Sequence, residues 1–324
     1  VSTAAADWRW MGAALALASR GIGTTFPNPS VGCVIVGDGR VIGRGWTQPG
    51  GRPHAEAVAL SQAGQAARGA TAYVTLEPCA HVSPRGPSCT DSLIAAGVAR
   101  VVVAAHDPDP RTDGDGVARL RTAGIAVTSN VRAAEAEQQL AGFLTRLNLG
   151  RPHIALKLAV SLDGAIAMGD GRSQWITGER ARAAAHLERA CADLIVVGRG
   201  TWDADQPRLD VRLPGLETRT PRIGVVGRGD GLPGHVTHFP DLAALTADPA
   251  LSVLVEGGMG LAASLCAADL VDALLLMRAP ILIGAGRTLG DIGLADLGHA
   301  HGRWAAGAAM TLGPDRIERY TRTR

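Results

Sequence analysis

Apolar positions recur along this chain with two periods, near 3.6 and near 2, and the places where one gives way to the other mark out alternating helices and strands. Trp8, Met11, Leu15 and Ala18 sit at helical spacing and predict an amphipathic helix over residues 7–19, its apolar stripe turned to a core. The proline-rich segment Phe26-Pro-Asn-Pro-Ser30 follows. The runs 31–36 and 40–46 flank Gly37-Asp-Gly39 and predict a β-hairpin. Beyond it the pattern predicts a helix over 55–67, strands over 72–76, 100–104 and 125–128, and helices over 93–96, 116–123 and 133–149. Gly150-Arg-Pro152 stops the last of these, and the domain boundary is placed there, giving units 1–150 and 151–324. The pattern then restarts, with strands over 153–160, 194–197, 223–226, 253–255 and 270–277, a helix over 183–192, and another running to about residue 267. Strands alternating with helices argue for two α/β layer domains, with parallel pairs after the first hairpin.

Composition narrows the function classes. A chain of 324 residues, 46% hydrophobic, has material for two cores. Its net charge of +2, its 3% aromatic content and the lack of any dense Lys/Arg run argue against a grip on a long nucleic acid. Phosphate on a small substrate needs one or two arginines only. No apolar stretch of about 18 residues runs without a charge or breaker, and no basic segment followed by an apolar one opens the chain, so neither a membrane span nor a signal peptide is expected. The five cysteines form no disulfide framework, which fits a reducing cytoplasm.

The candidate chemistry begins at Pro53-His54-Ala55-Glu56, with Pro78-Cys79 and Cys89. One imidazole and two thiolates suit zinc, and three protein ligands leave a coordination position open. Glu56 is not needed as a ligand and is free to carry a proton; the alternative is a closed zinc staple with Glu56 as the fourth ligand. His-x-Glu followed by Pro-Cys is the signature of zinc-dependent nucleobase deaminases. Pro53 at a helix start would put His54 and Glu56 in a first turn. Ser88-Cys89-Thr90-Asp91 resembles a capping box, which would set the Cys89 thiolate at a positive helix end and lower its pKa. Farther on, a strand running into Glu256-Gly257-Gly258-Met-Gly260 and a helix is a natural phosphate cradle, with a plain tight glycine turn as the alternative.

Taken together, the motifs resemble, almost end to end, the bifunctional deaminase/reductase family of riboflavin biosynthesis. The first half carries Pro27-Asn28-Pro29, Gly43-x-Gly45, His54-Ala-Glu56 and Thr75-Leu-Glu-Pro-Cys-Ala-His81 before Cys89. The second carries Lys157-Leu-Ala159, Ser161-Leu-Asp-Gly164, Ser173-Gln-Trp-Ile-Thr177, Thr201 with Asp205, and Glu256-Gly-Gly258. The resemblance implies a cytidine-deaminase-like three-layer domain followed by a dihydrofolate-reductase-like domain. It implies one Zn2+ per chain, NADPH, and a small phosphorylated pyrimidine as substrate. The first domain would remove the 2-amino group of a diaminopyrimidinone ribosylamine phosphate, and the second would reduce its ribosyl chain to ribityl. By the same resemblance His54, Cys79 and Cys89 are zinc ligands and Glu56 is the deaminase's proton carrier; hydride transfer to the opened ribose would then have Lys157 and Asp205 flank the reduced carbon. Ala159, Trp175, Thr201, Asp205, Gly257, Gly258, Gly260 and Ser264 fall at cofactor positions. Asn28, His81, Arg85, Ser173, Arg189, Leu209, Arg212 and Glu256 fall at substrate positions. Gln206 and Gly227-Arg228 depart from the family pattern, which leaves a deaminase with a degenerate reductase as one alternative. Another is a nucleobase or tRNA deaminase with an unrelated second domain. A homo-oligomer without nucleic-acid or membrane partners is expected.

Overall fold

The computed structural model describes residues 3–81 and 86–324, and its contacts cluster into two units, Val1–Gly150 and Arg151–Arg324. In the first, α1 (Thr3–Ala18) buries Met11, Ala14, Leu15 and Ala18. Trp8, counted in the core stripe from its spacing, instead stands 58% exposed, with the Arg132 guanidinium over its ring. A cation on its face gives the indole a partner outside the core. The hairpin β1 (Gly32–Gly37) and β2 (Arg40–Trp46) follows, then α2 (Ala55–Ala63). The helix expected to reach residue 67 ends at Gly64, whose φ of 54° a side chain would resist, and 64–67 tighten into a 3₁₀ turn. β3 (Thr71–Leu76), α3 (Cys89–Ala96), β4 (Arg100–Ala105), α4 (Asp115–Thr122) and β5 (Ala126–Thr128) continue the alternation. The expected single helix over 133–149 is two, α5 (Ala133–Gln139) and α6 (Ala141–Leu149), divided where Leu140 turns its side chain into the core.

The five strands lie in the order β2-β1-β3-β4-β5, antiparallel from β2 to β3 and parallel from β3 to β5. Glycines on this sheet let helix backbones touch it. A methyl group at Gly43 would sit 2.2 Å from Ala59 O, and one at Gly45 would sit 2.4 Å from Ala55 O, so α2 rests directly on β2. Gly45→Ala is therefore expected to lower the stability of the first unit by about 1–3 kcal/mol, the usual range for forcing an extra carbon into a filled space. Thermal unfolding checks this; a variant as stable as the parent would mean that α2 can lift off without cost.

In the second unit, β6 (His153–Val160) alternates buried and half-buried positions, with Lys157 and Ala159 on the half-buried face. It is followed by α7 (Glu179–Ala190), β7 (Leu194–Gly198), α8 (Arg199–Asp205), β8 (Arg222–Val226), β9 (Val236–Phe239), α9 (Leu242–Ala247), β10 (Ser252–Glu256), α10 (Met259–Ala267), β11 (Ala273–Arg278), β12 (Trp304–Leu312) and β13 (Asp315–Arg322). The sheet order is β12-β13-β11-β6-β10-β7-β8-β9. From β11 to β9 neighbours run parallel, and β13 and β12 close the edge antiparallel. The hydrophobic pattern does not foretell α8, β9, α9 or the last hairpin. Gly198-Arg-Gly200 looks like a turn, yet Arg199 pairs with Asp203 one helical turn on. β12 is alanine-rich and takes its extended form from pairing with β13.

Candidate functional site

In the first unit β3 delivers Glu77-Pro78-Cys79 at its carboxyl end, and Cys89 opens α3. His54 is the residue that caps α2, with extended φ and ψ, so it precedes the first turn in which it was expected, while Glu56 lies within that turn. The donor atoms of His54, Cys79 and Cys89 all lie within 4.8 Å of one another. His54 Nδ1 is 3.3 Å from Cys89 Sγ and 3.7 Å from Cys79 Sγ. Ordinary Zn–N and Zn–S bonds in a tetrahedron put donors about 3.6 Å apart, so these residues fit zinc. They form the one such cluster among the described residues, and Glu56 stands outside it.

The two thiols divide differently from the sequence reading. Cys89, expected to be the acidified one, has its pKa pushed up, because it donates to Cys79, is buried and lies near Glu56. Cys79 is lowered instead, first by that hydrogen bond from the Cys89 side chain. The backbone N–H of Cys89, at the start of α3, points at Cys79 Sγ 3.3 Å away. The positive end of α3 thus favours the thiolate beside it rather than the one it carries. Glu56 is 3% exposed, and burial raises its carboxyl pKa.

Asn28 Nδ2 is 3.1 Å from His54 Nε2 and donates to Gly51 O at 2.9 Å, so this residue, expected against the pyrimidine, also fixes the imidazole. His81 Nδ1 is buried without a partner among the described residues, as a ligand-facing donor or acceptor would be. Arg85 lies outside the described residues. Sequence reasoning missed three acids. Glu77 is buried, accepts from Gly114 N and Val117 N, and pairs with His106, which fastens the start of α4 next to Cys79. Asp107 is buried, and desolvation raises its carboxyl pKa to about 6. Its neighbour Asp109 pairs with Arg111, and Thr112 accepts from Ala80 N. The available signal was topological: Glu77 follows the carboxyl end of β3 and the two aspartates that of β4, its parallel neighbour, where α/β sheets hold their ligands.

In the second unit a cavity of about 1160 Å³ opens at the carboxyl ends of the parallel strands. Its lining takes in Lys157, Ala159, Ser173, Trp175, Arg189, Thr201, Asp205, Leu209, Arg212, Glu256, Gly257, Gly258, Gly260 and Ser264. Gly257 and Gly258 both have positive φ, 68° and 76°, and lead into α10. That turn presents amide groups to the cavity and fits a dinucleotide pyrophosphate. Trp175 is 65% exposed, with the Arg182 guanidinium 4.9 Å from its ring centre. Arg189 is less free than an anion-binding residue: Nε and Nη2 bridge both oxygens of Glu256 at 2.7 and 2.8 Å, and Nη1 donates to Asp210 O. Arg212, 51% exposed, is the more open cation at that end.

These two sites define a zinc-binding deaminase domain joined to a nucleotide-cofactor reductase domain. Residues 5–105 match the cytidine and deoxycytidylate deaminase zinc-binding region, and residues 152–297 match the RibD C-terminal domain. The riboflavin biosynthesis protein RibD of Escherichia coli is 52% identical over an aligned stretch that covers 66% of this chain and 58% of that protein. RibD of Mycobacterium tuberculosis is 40% identical over 90% of this chain and 91% of its own length. A crystal structure from Thermotoga maritima, titled a diaminohydroxyphosphoribosylaminopyrimidine deaminase/5-amino-6-(5-phosphoribosylamino)uracil reductase, superposes with a TM-score of 0.89 at 29% identity, covering 99% of this chain and 100% of that one. The chain belongs to the RibD family of bifunctional riboflavin biosynthesis enzymes. The resemblance read from the motifs, and the pair of folds it implied, hold; a second domain unrelated to the first is set aside. No helix among the described residues is long and apolar enough to cross a membrane.

Proposed function

We propose that the first unit hydrolyses the 2-amino group of 2,5-diamino-6-(5-phosphoribosylamino)pyrimidin-4(3H)-one and that the second reduces the ribosyl chain of the product with NADPH. The observation that carries this reading is the pairing, in one chain, of a zinc-fitting His-Cys-Cys trio beside a buried carboxylate with a cavity large enough for a dinucleotide and a sugar phosphate. Zinc held by His54, Cys79 and Cys89 would supply Lewis acidity and an acidified water. Glu56 takes the proton of the attacking water and returns it to the leaving amine; burial favours its neutral form and so eases that exchange. Asn28 and His81 orient the pyrimidine, with Asp107 a further acid at its edge.

In the second unit NADPH would supply the hydride. Lys157 protonates the sugar oxygen as charge develops on it, and Asp205 orients the opened ribose. Arg212 takes the 5′-phosphate, while Arg189 holds Glu256 ionised as an acceptor for sugar hydroxyls. We also infer self-association. β12 is an outermost strand, exposed over 305–311 and without a charged side chain there, an edge that a second copy would cover. Light scattering that finds a monomer at all concentrations rejects that part.

Incubation of the purified chain with the diaminopyrimidinone phosphate tests the rest. Ammonia release without NADPH, and a ribityl product only with it, are expected. Ammonia release with no NADPH oxidation would leave a deaminase with a degenerate second unit. Activity on neither arm rejects the reading.

A further inference from the structure

The cavity of the second unit runs across the carboxyl ends of β6, β10, β7 and β8, neighbours in that order. Adjacent strands are about 4.8 Å apart, so β6 and β8 are separated by roughly 14 Å. Lys157 and Glu256 mark the β6–β10 end, and the glycine turn before α10 lies between β10 and the helix it feeds. At the opposite end the lining passes to Arg199, Gly227 and Asp241. A cofactor whose pyrophosphate rests on the glycine turn and whose nicotinamide reaches Lys157 extends its adenosine toward β8.

Arg199 opens α8, directly after β7, and lies over the loop that follows β8. A methyl group on Gly227 would meet its Cβ at 2.7 Å, and one on Gly229 would meet Nη1 at 3.0 Å. Its guanidinium is pinned: Nε donates to the two oxygens of Asp203 at 2.8 and 2.9 Å, and Nη1 to Asp230 O at 3.0 Å. Nη2 donates to no acceptor among the described residues. Asp203 is half-exposed, and such a pair is weakly held, so an incoming dianion can share or displace it. Asp241, the acid on the lining at this end, has Oδ1 committed to the N–H of Ala244 as the cap of α9. A ribose with a free 2′-hydroxyl is best met by an available carboxylate, and a 2′-phosphate by an arginine. This end offers the arginine.

We propose that Arg199 binds the 2′-phosphate on the adenosine ribose of the reductase cofactor and sets the preference for NADPH over NADH. The proposal rests on the reductase reading above. Calorimetric titration of the full chain with NADPH and with NADH tests it, for the parent, Arg199→Ala and Arg199→Lys. The parent is expected to bind NADPH at least about tenfold more tightly. Loss of one charge-assisted contact in Arg199→Ala should weaken NADPH by about ten- to a hundredfold, with NADH changed less than about twofold and Lys restoring part of the loss. On the parent alone, 2′,5′-ADP should displace NADPH at lower concentration than 5′-AMP, which lacks only the 2′-phosphate, a readout that does not depend on any variant folding. Equal losses for both dinucleotides, no loss, equal displacement by the two mononucleotides, or a parent that prefers NADH would overturn the role of Arg199. A parent that binds neither dinucleotide would sink the reductase reading itself, and this inference with it.

Discussion

Glu56→Gln keeps one zinc per chain and loses deamination by about a hundredfold or more, the contribution expected of a well-placed general acid/base. The amide has the shape of the carboxylate, so the buried space beside the Cys89 thiol stays filled, while the capacity to carry a proton is gone. Its zinc content, by metal analysis, separates the two readings of this residue. A variant that loses metal along with activity would make Glu56 a ligand of a closed site. Reduction of substrate that is already deaminated should be unchanged and serves as the internal control, because Lys157, Asp205 and the glycine turn all lie in the second unit.

Arg189→Met should destabilise the second unit by about 3–5 kcal/mol, the range for leaving one member of a buried ion pair alone. Both side chains are nearly enclosed, 13% and 11% exposed, and Arg189 grips both oxygens of Glu256. Burial by itself would raise the Glu256 pKa; the Arg189 hydrogen bonds and the charge of Lys157 outweigh it and hold the carboxyl below its ordinary 4.5. A depressed carboxyl contributes stability that is complete above 4.5 and lost as pH falls through the folded value. In Arg189→Met the balance reverses: burial dominates, Glu256 titrates upward, and acid relieves the strain. The deficit measured by urea unfolding at pH 7 should therefore shrink at pH 5. A deficit below about 1 kcal/mol, or one that does not change with pH, would show that water reaches the pair.

Much of this architecture is legible in the sequence because the elements that matter are long and strictly patterned. β6 alternates residue by residue, and the apolar stretch after Pro53 runs as a helix to a glycine. The zinc trio is legible for a different reason: few arrangements of His, Glu, Pro and Cys occur in that order without the chemistry. What escapes is whatever long-range packing decides. Trp8 has the right spacing for the core and the wrong neighbour in Arg132. The acidity of Cys79 depends first on the thiol, and further on the amide, of a residue ten positions away in sequence. Asp107 reads as part of a proline-rich loop until the parallel pairing of β3 and β4 brings it beside the metal ligands. Arg189 reads as an anion-binding residue until Glu256 is seen to occupy it.

The close seating of α2 on Gly43 and Gly45 also bears on any attempt to redesign the deaminase for a bulkier base. The carbonyls of Ala55 and Ala59 already touch the strand, so the helix that carries Glu56 has no room to retreat, and no larger residue beneath it can reshape the pocket floor. New volume has to come from elsewhere around the site, such as residues 107–112, a loop after β4 held by side-chain contacts such as Asp109 with Arg111 and by backbone bonds from Thr112 and Asp113 to Asp109. Laboratory evolution toward other pyrimidines should accumulate its changes in that loop and leave the two glycines untouched.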